Sequence, residues 1–352
     1  MIFIVKQVFA LFLLLCLISC DRAIGSNPIK FPETISLVGK EKEITGVYLK
    51  YPFRMRLSDT SLYVMDIHPA DYYCHEFAYP SMKYKHSFAK RGEAPDEFLD
   101  AENIRFDNQN RLWVLDANRK KIVRFDEGDT AGSQEDTPLD ENLIRTLDFD
   151  LLDDSTFIVP DYTGRHRLTI VDANGKAARH LFTIPIIGGV HGDASTIPVA
   201  QAWRSFLDYD AQRGIVAVAT QLGQVLEIYD IQNEHVINIV KPEGMEPRFV
   251  TKENYALPTG IMGYSDIHIG EEYIYAIFWG HSFDDIKQQK HTEEGGKYIH
   301  VFDLEGNPVR QYLLDRYITG FHVDEKNKVI IGLDVNSDQP IVAYAYETTD
   351  CF

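Results

Sequence analysis

Two histidines and an aspartate are the residues of this sequence that could come together as metal ligands. His268 and His322 each lie in a short segment of mixed apolar and polar residues, and Asp148 lies in a third. Imidazole and carboxylate groups are common zinc ligands, but the 12 histidines show no HExxH motif or other paired spacing. We therefore predict no metal and no cofactor. His268 and His322 remain outside candidates for metal ligands. The alternative is that both are polar side chains whose hydrogen bonds are satisfied within the fold.

Catalysis by a serine or an acid has little support in the sequence. No GxSxG motif marks a nucleophile. Aspartates recur directly after apolar segments, as at Asp116, Asp172, Asp230 and Asp303. This repetition favours turns over calcium binding or acid catalysis, because an aspartate side chain accepts hydrogen bonds from nearby backbone amides. We predict no catalytic residue.

Recognition chemistry is better represented, because three long segments combine aromatic residues with arginine or histidine. They span residues 186–206, 241–263 and 279–296. Aromatic faces next to cationic groups are typical of binding sites. The alternative is that Trp203 and Trp279 pack between the structural units of the fold and bind no ligand. The ligand-binding candidates from these segments and their immediate flanks are Trp203, Arg204, Tyr264, Trp279 and His281.

The elements that must position these residues are short strands in a repeated unit. The clearest copy is the strand Asn103–Asp107, a turn, the strand Arg111–Asp116, a second turn and the strand Lys121–Asp126. Apolar segments bounded by such turn residues are typical of antiparallel strands. Six units can be recognised, and their second strands begin near residues 62, 112, 157, 215, 273 and 329.

This spacing of between 45 and 58 residues predicts an all-β protein, a six-bladed β-propeller with four antiparallel strands in each blade. Helical periodicity is nearly absent, with short helical turns expected only at 205–207, 247–255 and 284–289. The last unit shows only three strands, so we expect an N-terminal strand, Thr34–Leu37, to supply the fourth and close the ring. An unclosed blade would expose its hydrogen-bonding edge.

Three arginines, Arg54, Arg56 and Arg105, fall on or near the innermost strands of this arrangement. In a chain with a formal charge of -18 they could line an electropositive channel, and Arg54 and Arg105 are added to the ligand-binding candidates for this reason. The alternative is that these arginines pair internally with carboxylates.

The first 19 residues read as an export signal. One positive charge, Lys6, precedes an apolar run from Val8 to Ile18, which is shorter than the roughly 20 residues of a membrane-spanning helix. The run ends in Leu17-Ile18-Ser19-Cys20, which resembles the lipobox of bacterial lipoproteins. That resemblance implies a lipid on Cys20 after cleavage; an ordinary secreted protein is the alternative.

The predicted organisation is therefore a signal peptide at 1–19, a flexible tether at 20–32 and a propeller at 33–352. The membrane is a partner through the lipid on Cys20, and we expect the outer membrane to hold it, with the propeller in the periplasm or at the cell surface. Cys74 and Cys351 remain in the mature chain, and they could pair in an oxidising compartment or stay as free thiols. Nucleic acid is excluded, because no dense basic cluster occurs in this acidic chain.

The segment Arg91-Gly92-Glu93-Ala94-Pro95-Asp96-Glu97-Phe98, with the strands that follow it, resembles the blade junction of NHL-type propellers. Together with the lipobox and six units, the whole chain resembles the TolB-like six-bladed propeller lipoproteins of Bacteroidetes. The resemblance implies a fold rather than an activity.

The sequence thus predicts a lipid-anchored cell-envelope propeller that acts as a ligand-binding or protein-interaction module, with an envelope protein, a peptide or a glycan as its ligand. The first alternative is a metal-dependent enzyme, lactonase- or lyase-like, with its site at the channel mouth. The second is a structural partner in an envelope complex. An aromatic-lined concavity would favour ligand binding, three or more axial histidines or carboxylates an enzyme, and a flat apolar patch an assembly role.

Overall fold

The computed structural model describes residues 28–58, 60–125, 135–144, 146–185 and 196–347. The predicted signal peptide, Cys20, most of the tether and Cys351 lie outside these ranges. The described chain opens with two short strands, β1 (Thr34–Leu37) and β2 (Lys40–Glu41). Six four-stranded units then follow one another along the chain, which confirms the predicted propeller.

The first three blades are simple antiparallel meanders. Blade 1 contains β3 (Pro52–Leu57), β4 (Ser61–Asp66), β5 (Tyr72–Ala78) and β6 (Lys83–Lys90). Blade 2 contains β7 (Ala101–Phe106), β8 (Leu112–Asp116), β9 (Lys121–Phe125) and β10 (Glu135–Pro138). Blade 3 contains β11 (Asp150–Leu151), β12 (Phe157–Pro160), β13 (His166–Val171) and β14 (Ala177–Thr183).

The later blades carry insertions. Helix α1 (Thr196–Ala202) precedes blade 4, which contains β15 (Ser205–Asp210), β16 (Ile215–Thr220), β17 (Leu226–Asp230) and β18 (His235–Val240). A separate hairpin follows, β19 (Phe249–Lys252) and β20 (Tyr255–Pro258). Blade 5 contains β21 (Tyr264–Ile269), β22 (Tyr273–Phe278), helix α2 (Phe283–Lys287), β23 (Gly296–Asp303) and β24 (Pro308–Ile318). Blade 6 contains β25 (Phe321–Asp324), β26 (Val329–Leu333) and β27 (Ile341–Ala345).

The second strand of every blade begins within one residue of the predicted position. These strands are nearly continuous in apolar residues because neighbouring blades cover both of their faces; all six residues of β16 and all five of β8 are buried. Two of the three expected helical turns were wrong. Residues 205–207 begin β15, and residues 247–255 enter the β19–β20 hairpin, whereas α2 lies where the third was expected.

The N-terminal segment closes the ring, although the strand that completes blade 6 is not the predicted one. β2 pairs antiparallel with β27, so Lys40–Glu41 is the fourth strand of blade 6. Thr34–Leu37 instead pairs parallel with β24 and becomes a fifth strand of blade 5. The segment therefore stitches two blades together, and we refer to residues 33–41 as the clasp.

Turn chemistry agrees with the sequence at the turns between the third and fourth strands of a blade. The carboxylate of Asp303 accepts hydrogen bonds from the backbone amides of Glu305 and Asn307, at 3.0 and 2.8 Å. Asp172 makes the same contacts with Asn174 and Lys176. The recurring aspartates are thus turn residues, as predicted. No helix in the described ranges is long and apolar enough to span a membrane.

Candidate functional site

The inner strands bring one polar side chain from each blade to the propeller axis. Side chains alternate along a strand, so every second residue of each inner strand faces the centre. The resulting axial set consists of Arg56, Arg105, Asp150, Asp208, His268 and His322. Arg54, Asp148 and Asp266 lie beside it, towards the end where the inner strands begin.

Arg105 is the centre of this set. It is 3% exposed, and its guanidinium lies 2.8 Å from Asp208, 3.1 Å from Asp148 and 3.6 Å from Asp150. Burial alone would lower its pKa, but the three carboxylates outweigh burial and raise it. Burial raises the pKa of Asp150 to about 7, with Arg105 opposing and Asp208 reinforcing the shift. Arg56 and Arg105 therefore pair with carboxylates, the alternative considered above, whereas Arg54 approaches Asp266 only at 4.0 Å.

The two candidate metal ligands are brought together by adjacent blades. The rings of His268 and His322 are 4.2 Å apart between centroids, and Nδ1 of His268 is 3.4 Å from Asp208. Burial, followed by the charge of neighbouring His268, holds the pKa of His322 well below its ordinary value. Among the described residues no group of three or more histidine, cysteine or carboxylate side chains has the arrangement of a metal site.

A cavity of about 510 Å³ opens at the mouth of the channel where the inner strands begin. Blades 1, 4, 5 and 6 contribute to its wall. Its apolar lining consists of Phe53, Ile67, Phe206, Met262, Trp279, Phe283 and Ile286. Its polar lining consists of Tyr51, Arg54, Gln221, Ser265, His281, His291, Thr292, Glu293, Glu294 and Thr319.

The loop between β22 and β23, residues 279–295, reaches across this mouth, and we call it the mouth loop. Its base is fixed by backbone hydrogen bonds between Met262 and His281, at 2.8 Å, and between Gly280 and Met262, at 2.9 Å. Its far end is held by blades 1 and 6, because the hydroxyl of Tyr51 donates to Glu294 and the backbone amide of Glu294 donates to Asn336. Between them, α2 begins at the N-cap Ser282, whose hydroxyl accepts from the Asp285 amide. The cavity is therefore covered on one side by an ordered loop.

Arg54 forms the polar part of the floor. Its guanidinium carbon lies 4.4 Å from the ring centroid of Phe206 and 5.1 Å from that of Phe53. Nη1 donates to the Phe53 carbonyl, and Nε lies 4.0 Å from Asp266, beyond hydrogen-bonding distance. Nε of Arg54, Nε1 of Trp279 and Nε2 of His281 are all buried without a hydrogen-bond partner in the described structure.

The predicted binding residues divide into two groups. Arg54, Trp279 and His281 line the cavity. Trp203 and Tyr264 are buried at 4% and 0% exposure within apolar clusters, and Arg105 lies deeper in the axial set. Arg204 lies just before β15, beside the mouth. Sequence reasoning missed two lining residues, Phe53 and Phe206. Phe53 directly precedes Arg54, and Phe206 lies two residues after Arg204. This proximity to candidate arginines could have marked both.

A six-bladed propeller with a partly covered, aromatic-lined cavity at one channel mouth is the class of protein that this fold and site define. The chain belongs to the TolB-like six-bladed propeller family, since residues 30–326 match the family description "TolB-like 6-blade propeller-like". No curated protein sequence matches the chain significantly.

Solved structures of low sequence identity share the fold. A "Putative exported protein" of Bacteroides fragilis superposes with a TM-score of 0.57 at 11% identity, covering 90% of this chain and 100% of that one. A member of the duf4221 family from Bacteroides vulgatus gives 0.58 at 10% identity, covering 92% and 98%. The WD40 domain of Neurospora crassa Pan2 gives 0.51 at 11% identity, covering 85% and 90%. At these identities the likeness concerns the fold alone.

Proposed function

We propose that this protein is a cell-envelope ligand-binding module whose ligand occupies the cavity at the channel mouth. The observation that carries the proposal is the cavity itself, which has a volume of about 510 Å³ and is walled by aromatic side chains, with Arg54 among its polar residues. Small-molecule sites are typically concave and mainly apolar, with a few polar groups that fix orientation.

Filling the cavity should abolish binding without unfolding the protein. Gln221 lines the cavity, and its side chain takes part in no described hydrogen bond. We expect Gln221→Trp to eliminate the hits of a fragment screen monitored by ligand-observed NMR, because the indole takes up the space.

The matched control is Gln212→Trp. Gln212 is exposed in the β15–β16 turn at the opposite end of the blade, so this variant should keep every hit. The proposal is contradicted if no fragment binds the wild type, or if every fragment that binds the wild type also binds Gln221→Trp.

The envelope location rests on the N-terminal sequence and on the family. Lys6, the apolar run and Ser19-Cys20 have the form of a lipoprotein signal, and the related Bacteroides fragilis structure carries the description "Putative exported protein". We infer that Cys20 carries the lipid that holds the propeller to a membrane, and that residues 21–32 act as its tether.

Cys20→Ala is the test of the anchor. The acyl chains contribute about 0.8 kcal/mol per buried methylene, so we expect the wild type in the membrane fraction and the variant in the soluble fraction of the same cells. Cys74→Ala is the control, because Cys74 is a free, fully buried thiol in β5 and cannot accept lipid. Membrane association that survives the loss of Cys20 would refute the anchor.

A further inference from the structure

The buried polar atoms without partners at the channel mouth are mainly hydrogen-bond donors. Nε of an arginine and Nε1 of a tryptophan can only donate, and both Arg54 and Trp279 present such an atom. His281 adds a third nitrogen, and burial followed by neighbouring His291 lowers the pKa of its ring. These three atoms have almost no accessible surface, so a ligand oxygen would instead bind the part of Arg54 that lines the cavity.

Arg54, on the floor of the cavity, has no carboxylate within hydrogen-bonding distance in the described structure. Arg56 places two guanidinium nitrogens 3.3 Å from the two oxygens of Asp266, whereas Arg54 reaches the same carboxylate only at 4.0 Å. Burial lowers the pKa of Arg54, and the carboxylates of Asp266, Asp148 and Glu102 offset this only in part. A ligand carboxylate would give Arg54 a close partner.

The remaining wall selects for an apolar body and against high charge. Phe53 and Phe206 flank the Arg54 guanidinium, and Trp279 and Phe283 continue the aromatic surface. Glu293 and Glu294 stand in the mouth loop, and the chain has a formal charge of -18. Such a field disfavours the approach of multiply charged anions.

We propose that the ligand of this cavity is a small monocarboxylate with a flat apolar or aromatic body. Its carboxylate accepts hydrogen bonds from Arg54 on the floor, and its body lies against Phe206 and Trp279. This inference rests on the proposed function, since it names the chemistry of the same ligand site.

Isosteric probes separate the charge of the ligand from its shape. We would titrate the purified protein with 2-naphthylacetate, 2-naphthylacetamide, 2-naphthyl phosphate and 2-naphthylethylamine by ligand-observed NMR. We expect the carboxylate to bind about tenfold or more tightly than the amide, because a charge-assisted hydrogen bond replaces a neutral one. The phosphate and the amine should bind more weakly than the carboxylate.

Variants locate the preference. Arg54→Gln should remove the advantage of the carboxylate over the amide. If Arg54→Gln does not fold, the comparison of the four probes on the wild-type protein still tests the carboxylate. Arg248→Gln is the matched control, because Arg248 is an exposed arginine between β18 and β19. This variant should leave all affinities unchanged.

The failures are distinguishable. Equal affinity for amide and carboxylate, or a preference for the phosphate or the amine, would overturn the monocarboxylate while leaving a ligand-binding cavity in place. The same holds if no naphthyl probe binds but Gln221→Trp removes hits of the fragment screen. If that screen shows no cavity-dependent hit either, the proposed function itself fails.

Discussion

Replacing Arg105 by Met is expected to lower the free energy of unfolding by about 3–5 kcal/mol, the cost of breaking a buried ion pair by removing one partner. The reason is the environment that remains. Asp148, Asp150 and Asp208 would keep their positions at the axis with no guanidinium between them. The loss of the hydrogen bond from Nε to the Phe149 carbonyl, at 2.7 Å, adds to the effect. Urea denaturation at neutral pH followed by circular dichroism measures the change.

The matched control is Arg179→Met on the surface. Arg179 pairs with Glu234 at 2.6 Å, but the two side chains are 51% and 47% exposed, and exposed pairs contribute about 0–1 kcal/mol. A second check adds Asp208→Asn to Arg105→Met, which should restore part of the stability because it removes the carboxylate that lies nearest to the Arg105 guanidinium. An Arg105→Met variant as stable as Arg179→Met would show that the axial set is not a structural core.

Removal of the clasp is expected to lower the melting temperature by about 5 °C or more. Leu37, 7% exposed, lies in the cluster that joins blades 5 and 6, and burial of a leucine contributes roughly 1.5–3 kcal/mol. The outer edges of β24 and β27 would also lose their strand partners and become sites for aggregation. The comparison is between a chain that begins at residue 33 and one that begins at residue 42, so that the two differ by the clasp alone and neither carries the anchor.

A point variant tests the clasp without shortening the chain. A Cβ on Gly39 would lie 2.3 Å from Cγ1 of Val342 and 2.7 Å from the ring of Tyr344, so Gly39→Val should displace the clasp from blade 6. At Gly260 the nearest atom to such a Cβ is 3.5 Å away, and Gly260→Val is the control. Unchanged melting and unchanged solubility in both the truncated chain and Gly39→Val would exclude a role in ring closure.

The sequence was sufficient for the architecture because the repeated signal is local. Apolar strands such as β8, β16 and β26, each of five or six residues, recur once in every blade. Turns that contain an aspartate, such as Asp172 and Asp303, separate the strands. The high apolar content of the second strand is visible in the sequence of each unit. The assignment of the clasp went wrong by one strand because pairing partners are set in space. Thr34–Leu37 and Lys40–Glu41 lie a few residues apart, yet they join different blades.

The site was only partly predictable from the sequence for a related reason. Aromatic residues close to arginine or histidine gave Arg54, Trp279 and His281, which do line the cavity, but the same pattern also gave Trp203 and Tyr264, which pack in apolar clusters. Local sequence cannot distinguish the two outcomes, because exposure at the mouth depends on which blades lie opposite. The mouth loop shows this directly, since its end is held by Tyr51 and Asn336 from blades 1 and 6.

The sequence by itself determined six repeated strand units, the turn chemistry between them and an N-terminus with the form of a lipoprotein signal, because each of these is written in neighbouring residues. Only the tertiary structure decided that Arg105 would be neutralised by Asp148, Asp150 and Asp208, and that Arg54 would be left with a shared carboxylate. Those residues come from different blades, far apart in the chain. Closure of the ring sets their distances, and with them which charges find a close partner inside the protein and which do not.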